Sequence, residues 1–341
     1  MGAVDWPIVI GCMLLCLHTV LAQSGVYSKQ TPRWEWSPPL ESLANGDQGS
    51  YLNLSSNIDL WYTTFGSTQS NNTPVLLLHG GGGNSNQMFN QANYLAKTRK
   101  VILQDTRGQG RSPYRGFTDL HYDDVARDAI ALLDHLNIPT VAVVGWSDGA
   151  ITGLNLAMNY SSRIERVFAH GANVQANQGI PGTNDPIINS KSGSFDADFN
   201  SGGTTHSTKG DLRKRASADN YSCQNLSPTP DQCAASTQAV QRMWSLEPTW
   251  GPQALAQIKC PVWSVDGDHD TEVERNQADT IAAWTPFAGQ LILPQVGHAA
   301  HLQDPTFFNF AMGYFLNLRY DDVLPYYGPG SNAGSQTATA T

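Results

Sequence analysis

The chain has 341 residues, of which 40% are apolar and 14% charged, and its formal net charge is −9. That length suits one large α/β domain with an insertion, or two small domains, and the composition is that of a globular protein rather than a disordered or coiled-coil one. The acidic balance argues against nucleic acid as a partner, because phosphates demand clustered Lys and Arg. It is the kind of balance that keeps an exported protein soluble.

In chain order, residues 1–22 predict a signal peptide. The apolar run over 7–21 is too short to span a bilayer comfortably, and it ends in Val20-Leu21-Ala22, which suits cleavage after Ala22. The segment before it carries Asp5 and no Lys or Arg, so an N-terminal anchor retained in the secretory pathway is the alternative. No later stretch is apolar enough to cross a membrane, and no stable membrane insertion is expected after cleavage. Residues 23–49, rich in Trp, Pro and Gly, predict an arm over the surface.

From residue 50 the pattern alternates, and Ile58, Leu60, Tyr62 and Thr64 on one face predict an antiparallel strand. Short, nearly continuous apolar runs follow at 75–78, 101–103, 141–144, 167–169, 262–265 and 291–293, the mark of parallel strands buried on both faces. Helical patterns separate them. The clearest places Val125, Ala129, Leu132, Leu133 and Leu136 on one apolar stripe. Strand and helix in alternation predict an α/β fold with a doubly wound, mostly parallel sheet. The core is assigned to residues 50–174 and 246–320. Residues 175–245 break the alternation and predict an inserted cap, and residues 321–341, poor in apolar periodicity, predict a flexible tail.

Of the five cysteines, Cys12 and Cys16 fall in the signal segment. Cys223 and Cys233 lie ten apart in a polar stretch, which in an oxidising compartment predicts a local disulfide. Cys260 reads as a small buried core residue. No Cys/His spacing resembles a metal site. Sequons at Asn53, Asn71, Asn159, Asn220 and Asn225 permit N-glycosylation.

The chemistry concentrates at Gly145-Trp146-Ser147-Asp148-Gly149, a G-x-S-x-G between an apolar strand and a helical pattern through Ile151, Leu154 and Met158. That is the strand–turn–helix a nucleophile elbow requires, with Gly145 and Gly149 where the turn leaves no room for a side chain. A serine hydroxyl needs a base, and the base an orienting carboxylate. His298 and His301 lie in a suitable late loop. His298, directly after Gly297, is the better base, and His301 begins a helical pattern where packing or capping suits it. Asp266, Asp268 and Asp270 all follow the strand at 262–265. Asp270, past the turn at Gly267, can point back to an imidazole, Asp266 is still in the strand, and Asp268 is the serious rival. His79-Gly80-Gly81-Gly82-Gly83 lacks the phosphate-binding signatures and reads as an oxyanion loop whose bare amides act with the Asp148 N–H. His79 reads as a hydrogen-bonded structural residue, and Asp105, Arg107 and Arg111 as braces for the surrounding loops.

These motifs in this order resemble the α/β-hydrolase superfamily: His79-Gly80-Gly81, Asp105-x-Arg107-Gly108-x-Gly110-x-Ser112, Gly145-x-Ser147-x-Gly149, Gly267-x-x-Asp270 and Gly297-His298. The match covers residues 50–317. Gly145-Trp-Ser-Asp-Gly149, with His170-Gly-Ala-Asn173, is similar to the valacyclovir hydrolase (biphenyl hydrolase-like) branch, and proline iminopeptidases and lactonases share much of the pattern. The resemblance implies a cofactor-free enzyme acting on a small molecule. It implies Ser147, Asp270 and His298 as triad and the Gly81 and Asp148 amides as oxyanion donors. The expected activity is hydrolysis of a carboxylic ester or lactone through an acyl-enzyme. An aminopeptidase or amidase, a natural-product tailoring hydrolase or cyclase, and a catalytically inactive binding module are the alternatives.

Overall fold

The computed structural model describes residues 32–67, 71–117, 119–176 and 220–319. The expected signal peptide, the start of the arm, residues 177–219 of the expected cap and the expected tail lie outside these residues. Eight strands form one sheet in the order β1-β2-β4-β3-β5-β6-β7-β8. They are β1 (Ser50–Ser55), β2 (Ile58–Gly66), β3 (Val75–Leu78), β4 (Lys100–Gln104), β5 (Val141–Trp146), β6 (Ile164–His170), β7 (Val262–Gly267) and β8 (Ala288–Leu293). β2 is antiparallel to β1 and to β4, and the other neighbours are parallel. Each expected strand run falls inside one of these elements.

A strand covered on both faces has no solvent side for polar residues, which is why the central runs are so uniformly apolar. β3 is buried throughout. Its Leu76 and Leu78 join the core layer on one face, and Val75 and Leu77 the layer on the other. β5 divides likewise, with Val141 and Val143 against Ala142, Val144 and Trp146.

Six principal helices cover the sheet: α1 (Phe89–Leu95), α2 (Tyr122–His135), α3 (Asp148–Asn159), α4 (Cys233–Leu246), α5 (Arg275–Trp284) and α6 (Pro305–Asn317). The stripe expected on α2 is buried at Val125, Ala129, Leu132 and Leu133. α2 and α3 pack in the first layer, and α1 and α6 in the second. The last carbonyls of a helix have no partner within it. Those of α6 are capped from the sheet side, where Arg99 donates to the Leu316 carbonyl at 2.8 Å and Arg166 to those of Phe315 and Leu318 at 2.7 and 2.8 Å.

The arm does more than wrap the surface. Leu40 and Leu43 are buried in the second core layer. Trp34 stacks on His269 with ring centroids 3.9 Å apart, Arg33 pairs with Asp304 at 2.6 Å, and Gln303 donates to the Trp34 and Trp36 carbonyls. The expected disulfide between Cys223 and Cys233 is present and ties the segment ahead of α4 to the first residue of that helix. Cys260 is a free, buried thiol. The five sequon asparagines are exposed, although Asn53 also donates to Asp59 and Asn159 to Asn155.

From β3 the chain moves to β4 on one side, and β5 then pairs with β3 on the other. The switch point of the sheet therefore lies between the carboxyl ends of β3 and β5, where the glycine loop and Ser147 begin, and where folds of this kind place their ligands.

Candidate active site

β5 ends at Trp146 and α3 begins at Asp148, leaving one residue for the whole turn. That residue, Ser147, has φ +53° and ψ −121°. Outside glycine, such a conformation persists only where its surroundings enforce it. Here the Ser147 N–H donates to the His170 carbonyl at 2.8 Å, and its own carbonyl accepts from Ala150 and Ile151 at 2.8 and 3.0 Å. The flanking glycines make the turn possible. A Cβ on Gly145 would lie 2.2 Å from the Gly149 carbonyl oxygen, and one on Gly149 would lie 2.2 Å from that of Leu78.

Beyond β7, the Asp270 carboxylate accepts from the backbone N–H groups of Glu272 and Val273 at 2.8 and 2.9 Å through Oδ1. Through Oδ2 it accepts from His298 Nδ1 at 2.7 Å, a contact whose two side chains are 1% and 7% exposed. Burial alone would raise the pKa of Asp270. The charge and hydrogen bond of His298 outweigh it and hold the group below the usual carboxylate range. With Nδ1 committed to Asp270, the tautomer that remains offers Nε2 as the basic atom. Trp146 fixes the loop from the other side, its indole N–H donating to the His298 carbonyl at 2.7 Å.

The rivals are occupied elsewhere. Asp268 accepts from His269 at 2.7 Å and from the Val296 N–H at 3.3 Å. His301 is fully buried, its ring 4.5 Å from that of Trp146, and burial pushes its pKa well down, so it is a neutral packing residue. His170, at the end of β6, is also buried and held neutral, its pKa lowered to about 4 by desolvation and then by the neighbouring charge of His298.

The glycine loop leaves β3 through His79. His79 is locked as expected, with Nδ1 on the Gly80 carbonyl at 2.7 Å and Nε2 accepting from the Thr106 N–H at 2.9 Å. The Gly82 N–H is taken by Gln109 at 2.8 Å. Gly81 faces the elbow so closely that a Cβ on it would fall 2.2 Å from the Asp148 carboxylate. Asp148 is the first residue of α3, where a backbone N–H has no partner within the helix and the positive end of the helix dipole lies. The arrangement thus sets a hydroxyl, an oriented imidazole and two candidate amide donors along one edge of the sheet.

The α/β hydrolase fold family matches residues 73–305. The chain belongs to that family. A 3-oxoadipate enol-lactonase of Acinetobacter baylyi is 35% identical over 33% of this chain and 40% of its own length. The human serine hydrolase BPHL is 38% identical over 29% and 35%. These two matches therefore span well under half of each relative, whereas the mouse BPHL protein aligns over 71% of this chain and 78% of its own length at 27% identity. Among solved structures, the enol-lactonase of Burkholderia xenovorans LB400 superposes with a TM-score of 0.61, covering 79% of this chain and all of that one, at 18% identity, which shows a shared fold.

Ion pairs hold the loops around the site. Asp105 accepts from the Ser85 and Arg111 backbone N–H groups at 2.7 and 2.8 Å and from the Arg111 guanidinium at 3.1 Å. Arg107 makes a two-pronged contact with Asp128 on α2, both bonds 2.6 Å. Asp105, Arg107 and Arg111 are braces, as expected.

Three groups around the site have contacts that the sequence does not reveal. Tyr122, on α2, donates its hydroxyl to Asp148 at 2.8 Å, and Trp244, on α4, donates its indole N–H to both Asp148 oxygens. Burial raises the Asp148 pKa to about 6, with the Trp244 and Tyr122 hydrogen bonds opposing that rise. The third is Asp266, buried beside Asp270. Nothing in spacing alone connects Tyr122 or Trp244 to residue 148.

Proposed function

We propose that this hydrolase cleaves a carboxylic ester or lactone of a small molecule through an acyl-enzyme on Ser147. The observation that carries the reading is the buried 2.7 Å contact between His298 Nδ1 and Asp270, on the edge of the sheet where the strained Ser147 turn also lies. In this reading Ser147 Oγ attacks the carbonyl carbon while His298 Nε2 takes its proton. The Gly81 and Asp148 N–H groups hold the oxyanion of the tetrahedral intermediate. Its collapse breaks the ester bond, with His298 returning the proton to the departing oxygen. A water, deprotonated by His298, then attacks the acyl carbon and releases the acid and Ser147.

The name of the enol-lactonase relative from Acinetobacter baylyi supports the ester and lactone class. In the same reading the chain is exported and residues 175–245 form a cap over the site, a role supported by the disulfide at the start of α4 and by the Trp244–Asp148 contact. The test is a hydrolysis screen of the secreted protein against p-nitrophenyl esters of varied acyl length, lactones and aminoacyl amides, with fluorophosphonate labelling of wild type and Ser147→Ala. Labelling and turnover that depend on Ser147, with esters or lactones ahead of amides, support the reading, and equal labelling of both proteins overturns it.

A further inference from the structure

Behind the Asp270–His298 contact lies a second carboxyl group that the mechanism above does not use. Asp266 is the last residue but one of β7 and is 1% exposed. Its Oδ1 accepts from the adjacent Gly267 N–H at 2.8 Å. Its Oδ2 is buried and receives no N–H or O–H donor from the described residues. A buried anionic oxygen without a donor is strongly disfavoured, and a buried carboxyl oxygen that carries a proton is itself a donor. The acceptor is at hand, since the neighbouring Asp270 carboxylate is the group that acts on Asp266 most strongly.

Two buried carboxyl groups in contact do not both ionise. Which one keeps the proton follows from their other partners. Asp270 takes three N–H donors, from Glu272, Val273 and His298, and Asp266 takes one, from Gly267. The charge therefore settles on Asp270 and the proton on Asp266. We propose that Asp266 is a positioning residue of the catalytic relay, carrying a proton on Oδ2 at neutral pH and donating it as a hydrogen bond to the Asp270 carboxylate. The inference rests on the roles given above to Asp270 and His298.

The remaining groups around the pair are consistent with this placement. His298 faces it from the loop after β8 and is the nearest cationic partner. His170, from the neighbouring strand β6, is held neutral and brings no compensating charge, and His301 behind it is neutral as well. Glu272, shifted up by burial and interacting with the Asp270 charge, is a like charge that opposes ionisation of Asp270, and the three N–H donors on Asp270 act against it. Asp268 is turned away onto His269 and Val296. Burial and the Asp270 charge together push the Asp266 pKa far above the usual carboxylate range.

In this arrangement the Asp266 proton fixes Asp270 from the side opposite His298 and takes part of its negative charge. Ionisation of Asp266 at alkaline pH would set two carboxylates against each other and break the alignment of the imidazole. Asp266→Asn keeps a donor at the same place but cannot ionise, and Asp266→Ala removes the donor.

The experiment compares the three proteins by infrared spectroscopy and by pH–rate profiles on a p-nitrophenyl ester. Spectra at about pH 8, where Asp148 with its pKa of about 6 is ionised, should show a protonated carboxyl band in wild type that shifts in D₂O and is missing from Asp266→Asn. Asp266→Asn should keep kcat within about threefold at neutral pH and lose the alkaline limb of the profile. Asp266→Ala should lose about tenfold in kcat with KM little changed. A band that survives in Asp266→Asn, an unaltered alkaline limb, or equal kcat in Asp266→Asn and Asp266→Ala would overturn the proposal. The infrared band needs no turnover, so it separates failure of this proposal from failure of the Ser147 mechanism, which Ser147→Ala tests.

Discussion

The indole N–H of Trp244 donates to both carboxylate oxygens of Asp148, at 2.8 and 2.9 Å, and thereby ties α4 to the residue next to Ser147. The same carboxylate takes the Tyr122 hydroxyl, so a helix of the core and a helix of the insertion meet on one buried anion. Its pKa, raised to about 6, has a consequence for stability. Between the unfolded value of about 4 and about 6, the folded chain binds the proton more tightly than the unfolded one, so this group makes stability fall as pH rises through that window. Asp148→Asn keeps an acceptor for both donors and should remove that slope. Melting curves from pH 4 to 7 check it, and parallel curves for the two proteins would exclude it.

The turn at Ser147 predicts an unusual pairing of effects. Ser147→Ala should lower kcat by about 10⁴-fold or more. Ser147→Gly should be equally inactive yet more stable than Ser147→Ala, by about 1 kcal/mol, because glycine adopts φ +53° without the cost an alanine bears there. Urea titration of both variants measures the difference.

The choice of acid is tested by two neighbouring substitutions. Asp270→Asn should cost about 10⁴-fold in kcat, since the imidazole loses the charge that orients it. Asp268→Asn, whose partners are His269 and Val296, should leave kcat within about threefold. A reversal of the two effects would move the acid to position 268.

The Cys223–Cys233 bridge closes a loop with a sequence separation of ten, which in the chain-entropy account stabilises the segment by about 2–3 kcal/mol. Cys223→Ser should still fold and should turn over small esters normally, because the sheet core is built outside this segment. KM for bulky esters should rise. Kinetics on short and long acyl chains decide it, and a parallel loss on both would show that the segment is part of the catalytic core.

What was legible in the sequence was what is local. Every central strand could be read, because burial on two faces leaves an apolar run such as Val75-Leu76-Leu77-Leu78 that no exposed segment shows. The elbow could be read because its glycines answer a steric demand from within a few residues, and Asp270 and His298 because each follows a strand end at fixed spacing. Tyr122, Trp244 and Asp266 were not legible in their roles. Tyr122 and Trp244 act by contacts across the fold, over 26 positions from Tyr122 to Asp148 and 96 from Trp244. Asp266 was weighed only as a rival acid, because a sequence shows which carboxyls lie close together but not which of them keeps its proton.

The arm and α6 set the true outline of the cooperative unit. The family match runs from residue 73 to 305, yet Leu40, Leu43 and Trp61 before it and Phe308, Met312 and Phe315 after it are buried in one layer with Phe168 of β6. Arg33 joins the two margins directly by its contact with Asp304, and Trp34 lies on His269, the residue before Asp270. A protein trimmed to the family span would therefore lose one wall of its interior rather than two ornaments, exposing Phe168 and leaving the Arg99 and Arg166 guanidinium groups without the carbonyls they serve. Any shortened form intended for crystals, fusion or display has to begin ahead of Arg33 and run past Leu318.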